Sequence, residues 1–159
     1  MAEHPNQALL RRFYTAFGAR DGEAMAACYT PDATFTDPVF VGLRDGEPGA
    51  MWRMLTGGST DLVVELVAAD VTDADGRARW IAHYTFGQTG RRVTNDVRST
   101  FVFRDGLIAA QVDEFDFPRW AGQALGPTGR LLGRTTYLRH KVQRNARTGL
   151  DRYRAAEPR

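Results

Sequence analysis

Apolar positions recur along this chain with a helical period at the start and a strand period in the middle. Leu9, Leu10, Phe13, Ala16 and Phe17 fall at helical spacing, which predicts an amphipathic helix over residues 7–19 with Asn6 as its cap. Asp21 is placed to cap a second, short helix that carries Met25 and Cys28 and stops before Pro31. Residues 32–37 alternate briefly, predicting a short strand that ends in the Asp37-Pro38 turn. Pro48 suits the first turn of a third helix holding Met51, Trp52 and Leu55, and Gly57-Gly58 ends it. Four strand patterns follow: Leu62–Val71, Ala78–Phe86, Val93–Phe103 and Leu107–Phe117. Asp73–Gly76, Gly87–Gly90 and Asp105-Gly106 are the turns between them, the last a strong hairpin signal. On the third strand one face carries Val93, Asn95, Val97, Ser99, Phe101 and Phe103. On the fourth, one face carries Leu107, Ala109, Gln111, Asp113 and Phe115, the other Ile108, Ala110, Val112, Glu114 and Asp116. Pro118–Leu125 reads as one or two helical turns broken by Gly126-Pro127, and residues 129–153 read as helix with a thin apolar stripe from Leu131 to Tyr153.

Helices first and a long meander afterwards predict an α+β domain with a curved antiparallel sheet. A meander of this size curls over itself, and helices closing it make a cone whose mouth is a natural ligand site. The expected layout is one such domain over residues 1–126 and a C-terminal helical extension over residues 127–159.

Charge changes this picture only at the end of the chain. The net charge is +2, yet residues 130–159 hold nine basic and two acidic side chains, a net of +7, against −5 for residues 1–129. The expected partner of this basic tail is the acidic body itself, because its basic residues surround the helix and its apolar stripe is thin. Neither a nucleic-acid surface nor a membrane surface is expected. Cys28 is the one cysteine, so no intramolecular disulfide can form, and it reads as a small core residue. With no secretory signal at the start and no apolar run of spanning length, the expectation is a cytoplasmic location.

Several local stretches resemble the NTF2-like superfamily, in particular its SnoaL-like polyketide cyclase and ketosteroid-isomerase-like branches. They are Arg11–Gly22, Pro31–Pro38, Phe101–Ile108, and Asp113–Asp116 leading to Gln123–Gly126, so the resemblance spans roughly residues 7–126. It implies an NTF2-like α+β barrel, a fold that serves isomerases, cyclases, epoxide hydrolases and non-catalytic binders. In ketosteroid isomerases the Asp of an Asp-Pro turn is the general base, and Asp37-Pro38 matches it. That family's oxyanion-hole Tyr and Asp correspond to Phe13 and Ser99 here, with Tyr14 one residue away and turned by about 100°. The resemblance to SnoaL-like cyclases implies an acid/base Asp on the last strand, at Asp113. Epoxide hydrolases of this fold add an Arg-x-Asp pair on a central strand, where this chain reads Trp80-Ile-Ala-His-Tyr84.

The residues themselves leave two readings open at each candidate position. Asp113 faces the cone if Phe115 marks the inner face, and solvent if Ile108, Ala110 and Val112 do. Asp37 is either a base or a turn residue that suits the backbone before Pro. Tyr14, Asn95 and Tyr84 are candidate hydrogen-bond donors to a substrate oxygen, or ordinary core groups. Phe13, Phe17, Trp52, Trp80, Tyr84, Phe101, Phe115 and Trp120 are expected to supply apolar walls for a flat ligand. His83 is expected outside the cone. His4, His83 and His140 show no metal-ligand spacing, and no phosphate loop or nucleophile elbow is present, so neither metal nor cofactor is expected. Two functions compete: cofactor-free isomerisation, cyclisation or hydration of a small hydrophobic, ketone-bearing molecule, or a non-catalytic ligand-binding or assembly domain. A sheet with an exposed apolar face is expected to pair as a homodimer.

Overall fold

The first apolar stripe forms α1 (Pro5–Gly18) in a computed structural model that describes residues 2–158. Its cap is His4, whose Nδ1 accepts from the Asn6 N–H, rather than Asn6. Pro5 starts the helix because its fixed φ suits the first turn. Asn6 instead donates to the carbonyls of Thr72 and Asp73, tying α1 to the turn at residues 72–74. Asp21 caps α2 (Gly22–Ala26) through the Ala24 N–H. Next come β1 (Tyr29–Thr36) and α3 (Glu47–Gly57), with Pro48 in the first turn of α3. Four strands follow: β2 (Val63–Val71), β3 (Asp75–Phe86), β4 (Arg91–Arg104) and β5 (Leu107–Glu114). Asp105 and Gly106, both at positive φ, make the tight β4–β5 hairpin.

The five strands form one curved, unclosed sheet in the order β1-β5-β4-β3-β2. Neighbours are antiparallel except β1 and β5, which run parallel at one edge. The predicted meander is therefore four strands long, and β1 joins it from the helical end of the chain, a pairing that local periodicity does not reveal. The inward face of β4 is the predicted one: Val93, Val97, Ser99, Phe101 and Phe103 are buried.

On β5 neither predicted face is the inner one throughout. Ile108 is buried, and so are Gln111 and Asp113, which have the opposite parity. The pairing Phe103↔Ile108 followed by Val102↔Ala110 leaves Ala109 unpaired, a β-bulge that swaps the faces. Strand β5 also stops at Glu114, earlier than the predicted Phe117. Asp116 accepts from the Arg119 N–H and starts α4 (Phe117–Leu125).

The predicted helix over residues 129–153 is two helices, α5 (Pro127–Leu132) and α6 (Thr136–Ala156). Thr135 caps the second through the Leu138 N–H. Gly129 lets α5 sit directly on α4, since a Cβ there would lie 1.8 Å from the Ala121 carbonyl oxygen. Helix α6 lies on the body. Leu150 is fully buried, and Leu138 packs with Phe117 and Trp120. Arg53 pairs with Glu157, and Arg147 pairs with Glu47. The basic helix thus meets one acid of the body, Glu47, through Arg147 and Arg154, while the pair Arg53–Glu157 runs the other way, from a body base to a tail acid. Among the described residues no helix is long and apolar enough to cross a membrane.

Candidate active site

The concave side holds two aromatic clusters. Phe13, Phe17, Trp52 and Trp80 belong to the main core, with Phe17 packed 4.8 Å from Trp52 and 5.2 Å from Trp80 between ring centroids. Phe101 lies in the same core, stacked on Phe103. Trp120 anchors the second cluster beside Phe86, Phe115 and Phe117. Val39, Tyr84 and Phe115 touch both clusters. Of the expected wall residues, Phe13, Phe17, Trp52, Trp80 and Phe101 thus pack mainly against one another, while Tyr84, Phe115 and Trp120 stand together on the other side.

A buried polar chain runs through the main core and ends on Asp113. Trp52 Nε1 donates to the Tyr29 hydroxyl (2.7 Å), which donates to Gln111 Oε1 (2.5 Å). Gln111 Nε2 then donates to Asp113 Oδ1 (2.9 Å). From the other side Ser99 Oγ donates to the same Oδ1 (2.5 Å), and Trp80 Nε1 donates to Ser99 (2.8 Å). The Tyr14 hydroxyl reaches Ser99 Oγ at 3.4 Å. Tyr14 is therefore not turned away. Helix α1 is covered on both flanks, so Phe13 meets Tyr29 and Trp52 while Tyr14 meets Trp80 and the sheet. Its hydroxyl reaches Asp113 only through Ser99.

Asp113 is 3% exposed. Burial pushes its carboxyl up to about 7; the Ser99 and Gln111 hydrogen bonds oppose this, and the charge of Asp37 adds to it. Both donors go to Oδ1, and no donor among the described residues reaches Oδ2. Ser59 Oγ is the one enclosed side-chain polar atom there that lacks a partner. One oxygen of Asp113 is held and the other is free.

Asp37 repeats this arrangement on the β1–α3 loop. Its Oδ1 accepts the backbone N–H groups of Val39 (2.7 Å) and Phe40 (2.6 Å), and Oδ2 has no donor. Burial raises its carboxyl to about 6 against those two hydrogen bonds. Asp37 thus organises the turn with Oδ1, and its Oδ2 has no donor among the described residues. Gln143 of α6 donates to the Pro38 carbonyl (3.1 Å), so the terminal helix pins this loop.

Two further polar groups lie along the same side. The Tyr84 oxygen accepts from Trp120 Nε1 (2.9 Å), which leaves its own proton available. Burial and the nearby Asp37 raise its phenol above the usual range. Asn95 is half-buried two positions from Val93 and Val97, and its amide makes no hydrogen bond among the described residues. His83 pairs with Thr94 at the exposed surface, away from Asp113. Gln111 and Tyr29 are the site residues that the sequence did not single out. Gln111 could have been found from its i−2 relation to Asp113 on one strand face, whereas nothing in the sequence marks Tyr29. No cluster of three or more His, Cys, Asp or Glu side chains among the described residues has a metal-binding arrangement.

An unclosed curved sheet with helices across its concave side defines the class: a mixed α+β domain of the NTF2-like kind. Residues 10–111 match the model of the SnoaL-like domain, and the chain belongs to that family. Solved structures show the same fold. One is a protein with a ketosteroid isomerase-like fold from Catenulispora acidiphila, in complex with trimethylamine (12% identity, 75% of this chain and 93% of that one, TM-score 0.64). Another is an LEH-like epoxide hydrolase from M. tuberculosis (19% identity, 80% and 93%, TM-score 0.64). A third is TsrD from Streptomyces laurentii (24% identity, 77% and 96%, TM-score 0.63). No curated protein matches the sequence closely enough to serve as a relative.

Proposed function

We propose that this protein binds a small hydrophobic, oxygen-bearing molecule on the concave side of its sheet and moves a proton on it without a cofactor. Asp113 is the principal acid/base, and the observation that carries this is its buried carboxyl with Oδ1 held by Ser99 and Gln111 and Oδ2 free. A carboxyl near 7 exchanges its proton at neutral pH, which is what general acid/base chemistry requires. Asp37, near 6, is the second carboxylate, and two acids with different surroundings divide the acid and base roles. Tyr84 and Asn95 are the groups with unspent donors for a substrate oxygen. Tyr84, Phe115 and Trp120 offer the apolar wall. The similarity of fold to the M. tuberculosis epoxide hydrolase is in line with the hydration branch of this reading, and the similarity to the ketosteroid isomerase-like protein with the isomerisation branch.

A second reading is a binder without turnover. Its assembly form, with no ligand bound, is favoured by the packing of Phe13, Phe17, Trp52 and Trp80 against one another in the core. Carbon-13 NMR titration of the Asp113 carboxyl, with Asp113→Asn as assignment control and a panel of polycyclic ketones, separates the two. A raised pKa that moves with ligand supports the enzyme; a pKa at the ordinary value, indifferent to every ligand, leaves the binder. The convex face exposes Val67, Val102 and Val112, and we assign it to a second copy of the chain. A monomeric mass by light scattering would refute that assignment.

A further inference from the structure

Outside the acid site, a groove of about 840 Å³ lies between the start of β4 and the outer side of α4 and α5. Arg91, Arg92, Arg119, Arg130 and Arg134 line it, with Asp116 as its one acid. That carboxylate is engaged in capping α4 through the Arg119 N–H. Elsewhere in the fold Arg11, Arg53, Arg79, Arg104 and Arg147 each pair with a carboxylate, but among the described residues none of the five groove arginines does. Arg91 is held in place: its Nε donates to the Gln123 carbonyl (2.9 Å), and its guanidinium lies over Gly126. Its two Nη groups find no acceptor among the described residues. The groove is thus a convergence of guanidinium donors from β4, α4, α5 and the turn after α5, with Arg91 already fixed in position.

We propose that this groove binds the phosphate chain of a small polyphosphate, free or as part of a nucleotide. Guanidinium groups pair with phosphate oxygens in bidentate fashion, and a fixed arginine loses little entropy on binding. The volume suits a small molecule rather than a single ion. The five arginines favour an anionic ligand over an apolar one. A nucleic acid does not fit either. The exposed sheet face beyond the groove carries Glu65, Asp96 and Glu114, which interrupt any basic track for a longer backbone.

Isothermal titration of the full chain with sodium tripolyphosphate, and in parallel with adenosine triphosphate, tests this. Saturable one-to-one binding that falls at least tenfold in Arg119→Ala/Arg130→Ala is the expected result. Equal affinity for the two probes identifies the phosphate chain alone as the recognised part; tighter adenosine triphosphate identifies a nucleotide carrying that chain. The control Arg77→Ala/Arg98→Ala removes the same charge from the exposed sheet face and is expected to bind like the wild type. Thermal melts of both variants check that these exposed substitutions leave the fold intact. No saturable binding at low salt, equal weakening in the control, or tighter binding of a single-stranded oligonucleotide than of tripolyphosphate at physiological salt would each overturn the proposal.

Discussion

Replacing Asp113 by Asn should make this protein more stable at high pH and leave it almost unchanged at low pH. The folded carboxyl sits near 7, raised from 3.8 by burial. Between those two values the folded state holds a proton that the unfolded chain releases. Stability therefore falls with pH across this window by about 1.4 kcal/mol per unit, or about 4 kcal/mol in all. This contribution is fully present below about pH 4 and is lost as pH rises through 7. Asparagine preserves what the structure uses. Its carbonyl can occupy the Oδ1 position and accept from Ser99 and Gln111, while its amide takes the Oδ2 position, where no protein donor would be opposed. The variant removes the ionisation penalty without opening a cavity. Urea melts of both proteins at pH 5, 7 and 9 measure it. A gain of about 4 kcal/mol at pH 9, shrinking to about 1–2 kcal/mol at pH 5, is the expected outcome. A variant equally or less stable at pH 9 would show that the interior tolerates the Asp113 charge, and the acid/base assignment would fall with it. A gain would be the signature of a destabilising group kept for its chemistry.

Three further perturbations follow from the same geometry. Asp37→Asn removes a like charge and should lower the Asp113 pKa, read by carbon-13 NMR; an unmoved value would place the two carboxyls in separate environments. Ser99→Ala takes away a donor to Asp113 Oδ1 and should raise that pKa further, while leaving Trp80 Nε1 without its acceptor and costing about 1–3 kcal/mol in denaturant melts. Leu150→Ala on α6 should cost about 2–5 kcal/mol, because the side chain is fully enclosed between the terminal helix and the body; a loss under 1 kcal/mol would mean that α6 contributes little to the stability of the fold.

Much of this protein is local and was legible in the residues. The periods of 3.6 and 2 set α1, α3 and the four-strand meander, since side-chain direction along one element depends only on that element. The face of β4 that carries Val93 to Phe103, and the Asp105-Gly106 turn, follow from the same rule. The candidacy of Asp37 and Asp113 came instead from the resemblance to known families, and the basic tail's contact with Glu47 from the charge asymmetry. Three features were decided by contacts between distant residues. A bulge at Ala109 turned both Ile108 and Asp113 inward, which no strict alternation allows. The parallel β1–β5 edge brought Tyr29 to Gln111 across 82 positions of chain, and with it the polar chain that holds Asp113. Burial, which raises both carboxyls, comes from the helices that close over the concave face. A sequence can nominate an acid, but only the tertiary structure sets how little water and how many donors surround it, and those two quantities decide its chemistry.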